Sequence, residues 1–380
     1  MKKTILFFII TFPLLFLLTG CNNLNGIDKY FFVTALGLDK SDNGLLSISI
    51  QIPSTSSNES SSSSSSSQSS NYKIYTVEAK TIDEGINIFN NFLSKQLNLS
   101  HCAAVVISEE LATEGIKTFF NTLSNNTELR DTCKLIVSSQ SAYDVLDKVQ
   151  NSGEVFSSRL FDSLIPSSEN TGFTIQSTFG TFFQELHNDY FEPTTIYMTV
   201  TGDTIQANGL AIFKDETMVG HVDILGSISH LILTNELKSC IITIKNPFNE
   251  IEDVDLELSL YKNTDIEIDI INGSPFISVT IYPEGNIRSS GNIFNYIDSN
   301  NIEKLEKAVN EYLEKQLKSY LYDITKNYDS DVVGFKGILE AEFLTTEEFN
   351  KIHWDEIFKD SFFDITVKTS LNSSNLFNRK

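Results

Sequence analysis

One cysteine near the N-terminus lies in a context that predicts covalent chemistry. Leu18-Thr19-Gly20-Cys21 closes an apolar run over residues 4–18, and Lys2 and Lys3 precede that run. A basic start, a short apolar core and small residues after it are typical of a secretory signal, whereas a spanning helix needs roughly 20 apolar residues. The four residues also match the pattern at which bacterial lipoprotein processing joins a cysteine thiol to diacylglycerol. We expect residues 1–20 to be removed and Cys21 to carry lipid.

A lipid on Cys21 predicts attachment to the outer face of a membrane. Each buried CH2 of an acyl chain contributes about 0.8 kcal/mol, and two or more chains anchor a protein stably. Residues 21–28 would then form a lipidated tether before the first folded segment. The alternative is an ordinary signal peptide followed by a buried cysteine.

Other residues capable of catalysis or metal binding lack the spacing that such chemistry needs. Cys102, Cys133 and Cys240 are too scattered for a zinc site, and we interpret them as small buried apolar side chains. There is no H-x-x-x-H pair, G-x-S-x-G elbow, Walker loop or G-x-G-x-x-G turn. Residues 39–44 imitate the start of a calcium loop, but Ile50 holds the twelfth position where an acid belongs. We therefore predict a turn at residues 39–44. For the chain as a whole, the sequence predicts no catalytic residue, no metal and no cofactor.

Two consecutive predicted strands each place three carboxylates opposite an apolar face. Side chains alternate along a strand, so the three acids of each strand share one side. If the strands pair, six carboxylates line one exposed surface; they are Asp253, Asp255, Glu257, Asp265, Glu267 and Asp269. We interpret this surface as a solvated face that keeps a tethered protein soluble. Docking to a basic surface and a weak cation site are the alternatives.

The composition excludes whole classes of function. The chain has 380 residues, with 50 acidic and 28 basic side chains and a net charge of −22, whereas nucleic-acid binding requires clustered Lys and Arg. Hydrophobic residues make up 41%, which excludes a wholly disordered chain. This length predicts two or three domains. In residues 54–70, 13 of 17 residues are Ser, and this stretch is predicted to be a flexible loop.

The order of predicted elements indicates an α+β fold in which mixed sheets are flanked by helices. Over residues 29–200, strand-type runs alternate with amphipathic helices, which predicts an N-terminal α+β domain. Residues 204–375 predict a second α+β domain. It begins with a hairpin, continues with an antiparallel meander over residues 254–287, and includes a long amphipathic helix over residues 301–327. A third domain would be split from one of these halves.

Taken in order, several segments resemble the Ger(x)C lipoprotein family, the C subunit of bacterial spore nutrient germinant receptors. No piece after the lipidation motif is a chemical motif, so the order of the pieces carries the resemblance. Asn22-Asn23 and the Ser-rich stretch depart from the family pattern. The matching residues are Leu18-Thr19-Gly20-Cys21, residues 32–40, 105–116, 209–214 and 302 onward, Val219-Gly220, Val333-Gly334-Phe335 and Trp354.

The resemblance implies a non-enzymatic, lipid-anchored receptor component on the outer face of the spore inner membrane. It would act with multispanning A- and B-type receptor subunits in nutrient-triggered germination. The implied architecture is three α+β domains. A lipid-anchored solute-binding protein serving a transporter is the alternative, and it predicts a cleft with convergent polar and aromatic groups between two lobes. A cell-wall hydrolase would need a carboxylate pair or metal triad, which the spacing does not provide.

Overall fold

The computed structural model describes residues 26–54, 72–151, 161, 165–168, 170–202, 204–290 and 299–372. A short 3-10 helix (Ile27–Lys29) leads into β1 (Tyr30–Phe32), which pairs in parallel with β5 (Gln96–Asn98) as a separate two-stranded ribbon. The predicted Ser-rich loop over residues 54–70 lies, except for Ser54, outside the described residues.

A mixed sheet of eight strands, called the N-terminal sheet below, is built from the first 222 residues. Its spatial order is β10-β9-β8-β7-β6-β2-β3-β4, and the neighbours β2, β6, β7 and β8 run parallel. Central parallel strands are buried on both faces, and all five residues of β6 are indeed buried. The strands are β2 (Ala35–Lys40), β3 (Leu46–Pro53), β4 (Tyr72–Ala79), β6 (Ala104–Ser108), β7 (Lys134–Ser138), β8 (Thr194–Thr201), β9 (Thr204–Lys214) and β10 (Thr217–Val222).

Helices cover both faces of this sheet, because its side chains alternate between two apolar cores. One core contains Phe89, Phe120 and Phe182 from the helices on that face, and the other contains Val145 and Leu146 from a helix on the opposite face. The helices of the first core are α1 (Ile82–Phe92), α2 (Glu109–Glu114), α3 (Lys117–Ser124) and α5 (Phe179–Leu186), and that of the second is α4 (Ala142–Asn151). The predicted mixed sheet with helices against it is confirmed.

The C-terminal region, residues 224–372, contains two smaller sheets, and its apolar core continues onto the N-terminal sheet through Leu210 and Ile212 of β9 and Val222 of β10. The four-stranded sheet has the order β11-β12-β15-β17, and the three-stranded sheet has the order β13-β14-β16. The strands are β11 (Cys240–Asn246), β12 (Asn249–Leu260), β13 (Asp265–Ile271), β14 (Ser274–Ile281), β15 (Pro283–Ser290), β16 (Phe362–Val367) and β17 (Ser370–Asn372). The helices are α6 (Ile224–Leu233), α7 (Ser299–Tyr322), α8 (Phe335–Glu340), α9 (Thr346–Asn350) and α10 (Trp354–Ile357).

The predicted long helix is confirmed as α7, which continues into a π-helical turn over Asp323–Asn327. The predicted meander is wrong at its first connection, because β12 pairs with β11 and β15 while β13 pairs with β14. The reason lies at Thr264, whose amide donates to Asn235 Oδ1 (2.6 Å) and whose hydroxyl donates to the Ile232 carbonyl (2.7 Å). These bonds hold the chain at the end of α6, so the next strand starts a second sheet.

The predicted hairpin that opens the second half is confirmed as β9 and β10, but both strands belong to the N-terminal sheet. Strand β8 pairs antiparallel with β9 across the predicted division near residue 202. The assignment of residues 29–200 and 204–375 to separate domains stays a prediction. No helix in the described parts of the chain is long and apolar enough to cross a membrane.

Candidate functional site: the junction between the N-terminal sheet and the C-terminal region

Residues 328–331, called the junction segment, leave the π-helical turn and contact the N-terminal sheet. Lys214 Nζ lies 2.5 Å from Asp329 Oδ2 at the end of β9. The buried hydroxyl of Ser330 donates to the Phe213 carbonyl at 2.5 Å. An ion pair and a hydrogen bond therefore fix the junction segment to the C-terminal end of β9.

Tyr328 makes the second attachment, at strand β10. Its hydroxyl donates to the His221 carbonyl at 2.8 Å, and a Cβ added at Gly220 would lie 2.2 Å from the tyrosine ring. The ring of His221 stacks on that of Tyr197 at 4.1 Å with an interplanar angle of 6°, and the Tyr197 hydroxyl donates to Glu109 Oε2 at 2.7 Å. The contact at Tyr328 thus continues through stacked rings to α2.

Asp331 lies at the centre of the junction and is buried. Its Oδ1 accepts hydrogen bonds from the amides of Gly334 and Phe335 at 3.0 Å, and its Oδ2 accepts from the amide of Lys336 at 2.8 Å and from Trp354 Nε1 at 3.2 Å. The carboxylate therefore caps the start of α8 and holds the start of α10. Gly334 has a φ of +84°, a conformation that suits glycine.

Burial raises the pKa of the Asp331 carboxyl to about 6, although its four hydrogen bonds oppose that shift. The backbone of the same residue also faces the N-terminal sheet, since the amide of Glu192 donates to its carbonyl at 3.0 Å. One residue therefore joins the N-terminal sheet, α8 and α10.

An acidic cleft of about 340 Å³ opens beside Asp331, and its lining residues come from both the N-terminal part of the chain and the C-terminal region. Burial raises the pKa of Glu185 to about 7, and it also raises the pKa of Glu192, whose Oε2 accepts from the Asp215 amide at 2.7 Å. The cleft can take up protons near neutral pH and suits cationic groups better than anions. Its acidic lining residues are Glu185, Asp189, Glu192, Asp215, Asp329, Asp331 and Asp355, and its basic ones are Lys214 and Lys336.

A second buried carboxylate, that of Asp39 on β2, binds the start of a helix that packs on the N-terminal sheet. Its Oδ1 accepts from the amide of Ala142 at 2.6 Å and its Oδ2 accepts from the amide of Tyr143 at 3.0 Å, at the start of α4. Burial raises the pKa of Asp39, against the effect of these hydrogen bonds. The predicted turn over residues 39–44 is confirmed from Ser41 on, whereas Asp39 and Lys40 lie in β2. Asp39, which imitated the first calcium ligand, binds the start of a helix.

The acidic residues of the two predicted strands lie on different sheets, so they do not form one surface of six carboxylates. On β12, Asp253 pairs with Lys245 at 2.7 Å and Glu257 pairs with Arg288 at 2.6 Å, while Asp255 accepts a hydrogen bond from Thr243 Oγ1 at 2.8 Å. The β12 acids are therefore largely compensated by neighbouring strands.

The β13 acids are compensated at one end only. Asp265 accepts from Lys262 and from the Tyr282 hydroxyl, both at 2.7 Å. Glu267 and Asp269 are exposed and form no ion pair with another described residue. A docking role for either group of acids stays a prediction.

The predicted lipidation motif, Leu18-Thr19-Gly20-Cys21, lies outside the described residues. Cys102, Cys133 and Cys240 are free and buried, which confirms their interpretation as small apolar side chains. Within the described ranges, no group of three His, Cys, Asp or Glu side chains has the arrangement of a metal site.

A larger cleft of about 680 Å³ lies within the N-terminal part of the chain, between α1, α3 and β5. Its lining includes the amide side chains of Asn87, Asn121 and Asn125 but no aromatic residue. This cleft has no ring to stack on a ligand. The acidic cleft beside Asp331 does have aromatic lining residues, Trp354 and Phe358, together with its polar groups, so the solute-binding alternative stays a prediction.

Asp331 and the acidic cleft were not predicted from the sequence. Gly334, Phe335 and Trp354 were among the residues that carried the resemblance, and all three contact Asp331. Asp331 lies three residues before Gly334, which holds the N-cap position of α8, so Asp331 is outside the usual place of a capping side chain and no local signal marked it. The distant partner Trp354 carries no such local signal.

Two family models match the chain in succession. The model of the spore germination protein N-terminal domain matches residues 25–200. The model described as spore germination B3/GerAC like, C-terminal, matches residues 208–375.

Individual relatives match over almost the whole length. The chain is 23% identical over 367 residues to YfkR of Bacillus subtilis (strain 168), whose name places it in spore germination; the match covers 95% of this chain and 94% of YfkR. It is 22% identical over 374 residues to the spore germination protein GerQC of Bacillus cereus, covering 98% and 99% of the two chains. The crystal structure of GerBC shares the fold, with a TM-score of 0.57 and 16% identity over 89% of this chain and 96% of GerBC.

Proposed function

The chain belongs to the GerAC-like family of spore germination proteins, and we propose that it is the lipid-anchored, non-enzymatic C subunit of a germinant receptor. The observation that carries this proposal is the succession of the two family models, which together span residues 25–200 and 208–375. The fold shared with GerBC supports it. In this role the protein takes part in nutrient-triggered germination.

We place the protein on the outer face of the spore inner membrane, held by lipid on Cys21. The lipidation motif Leu18-Thr19-Gly20-Cys21 behind an apolar signal core supports this location. The net charge of −22 would repel an anionic membrane surface, so lipid and protein partners must provide the attachment.

The partners we propose are the multispanning A- and B-type subunits. The exposed acids Glu267 and Asp269 on β13 suit a basic partner segment, because neighbouring strands leave them uncompensated. The compensated acids of β12 suit a solvated face.

The junction gives such a subunit a way to act without turnover. The junction segment is fixed to β9 and β10 on one side and, through Asp331, to α8 and α10 on the other. A displacement of the C-terminal region by a partner would therefore be carried to the N-terminal sheet. In this proposal the protein transmits a mechanical change and forms no covalent intermediate.

Co-purification from spore membranes tests the function. The tagged full chain, solubilised with its anchor intact, should bring down multispanning receptor subunits identified by mass spectrometry. The matched control is a Glu267→Lys/Asp269→Lys variant, in which the charge of the proposed docking strand is reversed. Recovery of the anchored wild-type chain without any membrane partner would count against the receptor assignment.

A further inference from the structure

The two-stranded ribbon at the start of the described chain carries an unusual concentration of apolar side chains at the surface. We call this group the tether patch. Two of its members are strongly exposed, Ile27 at 78% and Phe92 at 54%, whereas its three consecutive aromatic residues on β1 are half-buried. The tether patch consists of Ile27, Tyr30, Phe31, Phe32, Phe92 and Lys95.

Contacts join β1, β5 and the end of α1, where the ring of Phe92 lies beside those of Tyr75 (6.2 Å) and Phe89 (6.0 Å). Asn90 Oδ1 accepts from the Leu97 amide at 2.9 Å, which ties α1 to β5. Lys95 Nζ lies 5.4 Å from the ring centre of Phe31, and the ring of Phe32 contacts that of His101 at 4.5 Å. Rings with an apolar body and a cationic or polar neighbour suit the boundary between lipid and water.

The length of chain before the patch limits where the patch can lie. Six residue steps separate Cys21 from Ile27, which reach at most about 20 Å when extended and span about 13 Å on average if flexible. A lipid on Cys21 would therefore keep Ile27, three residues before β1, within that distance of the bilayer surface. Other exposed apolar residues, such as Phe362 on β16, are not constrained in this way.

The local charge of the patch also suits a membrane. Whereas the whole chain carries −22, the ribbon and its contacts balance two lysines, Lys29 and Lys95, against two acids, Asp28 and Glu128, which accepts hydrogen bonds from Asn98 and Leu99. Each lysine near an anionic surface contributes about 1 kcal/mol of attraction. The part of the molecule nearest the tether is thus the part that an anionic bilayer would not repel.

We propose that the tether patch inserts into the headgroup layer of the lipid bilayer and thereby sets the orientation of the protein on the membrane. This inference rests on the proposed lipid attachment at Cys21. A single flexible tether would leave the orientation free, whereas a second contact through Phe92 and β1 would fix it. The C-terminal region would then be presented to partners in one orientation.

Fluorescence quenching by brominated lipid tests the proposal on the full lipidated chain. Phe92→Trp adds a reporter in the patch, and Phe362→Trp, at a residue 63% exposed, is the matched control outside it. The native Trp354 is buried and provides a constant background. Each protein is reconstituted alone into vesicles of phosphatidylglycerol and phosphatidylethanolamine, with and without bromine on the acyl chains.

We expect the emission added by Phe92→Trp to fall about twofold in brominated vesicles, because an interfacial ring lies near the acyl chains, and that of Phe362→Trp to stay unchanged. Equal emission of Phe92→Trp in both kinds of vesicle would overturn the proposal, and so would equal quenching of both variants. A protein partner that covers the patch would give the first of these results. Flotation of the protein with vesicles in the same samples reports the anchor separately, so failure of the patch and failure of the lipid attachment are distinguishable.

Discussion

Asp39 and Asp331 are both buried, and each places both carboxylate oxygens on backbone amides at the start of a helix. Asp39 accepts two such bonds, and its partners belong to α4, which packs on the same N-terminal sheet. Asp331 accepts four, including one from a side chain, and its own carbonyl binds Glu192 beside the sheet. The Asp39 carboxylate fixes a helix that packs on the N-terminal sheet. Asp331 instead links two helices of the C-terminal region to a residue beside that sheet.

Loss of Asp331 should therefore destabilise the folded protein more than loss of Asp39. Loss of Asp39 disturbs one helix that still has an extensive apolar contact with the sheet. Loss of Asp331 removes the common partner of α8, α10 and the junction segment at once. Burial raises the pKa of Asp331 to about 6, so the stability contributed by Asp331 should change over the mildly acidic range.

The largest effect is expected for Asp331→Ala. Four donors would lose their acceptor inside the junction, and each buried donor without a partner costs about 1 to 3 kcal/mol, so we expect a total loss of about 3 kcal/mol after partial hydration. Urea unfolding followed by circular dichroism measures it. The control is Asp329→Ala, whose partially exposed ion pair with Lys214 should contribute less than about 1 kcal/mol. Equal losses of unfolding free energy in the two variants would show that Asp331 stabilises the junction no more than the partially exposed ion pair of Asp329 does.

The second effect is a pH dependence. An aspartate with an ordinary pKa of 3.8 when unfolded and about 6 when folded binds its proton more tightly in the folded state. The Asp331 contribution to stability therefore falls as pH rises from about 4 to 6, by about 2 kcal/mol, and stays low above that.

Asp331→Asn cannot titrate, so its unfolding free energy should change less between pH 4.5 and 7 than that of the wild type. The acids Asp39, Glu185 and Glu192 remain in both proteins, and the difference between the two pH profiles isolates Asp331. Identical profiles would show that Asp331 does not titrate in this range.

A smaller effect is expected for Asp39→Ala. Two amides at the start of α4 would lose their acceptor, which costs about 1.5 kcal/mol for a helix cap. The neighbouring Asp42 is exposed in the same turn, and Asp42→Ala should leave the urea midpoint almost unchanged. A loss of unfolding free energy for Asp39→Ala as large as that for Asp331→Ala would contradict the greater contribution of Asp331 to stability.

The smallest effect is expected for Trp354→Phe. The phenylalanine ring keeps most of the apolar contact with Phe358, but the indole N–H that binds Asp331 is lost, which costs about 1 kcal/mol. Thermal unfolding measures it. In the Asp331→Asn background the same substitution should cost less, because an asparagine that turns its NH2 toward the indole offers it no acceptor; full additivity would contradict the proposed bond.

Local patterns were sufficient for the α+β class and the long helix α7, because each depends on the periodicity of single segments. The mixed sheet was inferred from the alternation of strands and helices along the chain. The partners of the strands were not predictable in the same way. The connection from β12 to β13 looked like a hairpin, but Thr264 is held by Asn235 and Ile232 of α6.

The candidate site depended even more on distant residues. Asp39 was recognised as a turn residue, yet the amide it binds lies 103 positions later. Asp331 binds Trp354, 23 positions away, across two intervening helices. Only tertiary packing brings these groups together, so a single sequence carries little signal for them.

We propose that this chain is a lipid-anchored receptor subunit, and the Cys21→Ala variant in spores tests this proposal most directly. The spores are fractionated, the amount of the protein in the inner membrane is measured by immunoblot, and nutrient-triggered germination is followed by loss of optical density. We predict that the variant is depleted from the membrane and that germination through its receptor is lost or strongly slowed. Wild-type amounts in the membrane together with normal germination would contradict the account.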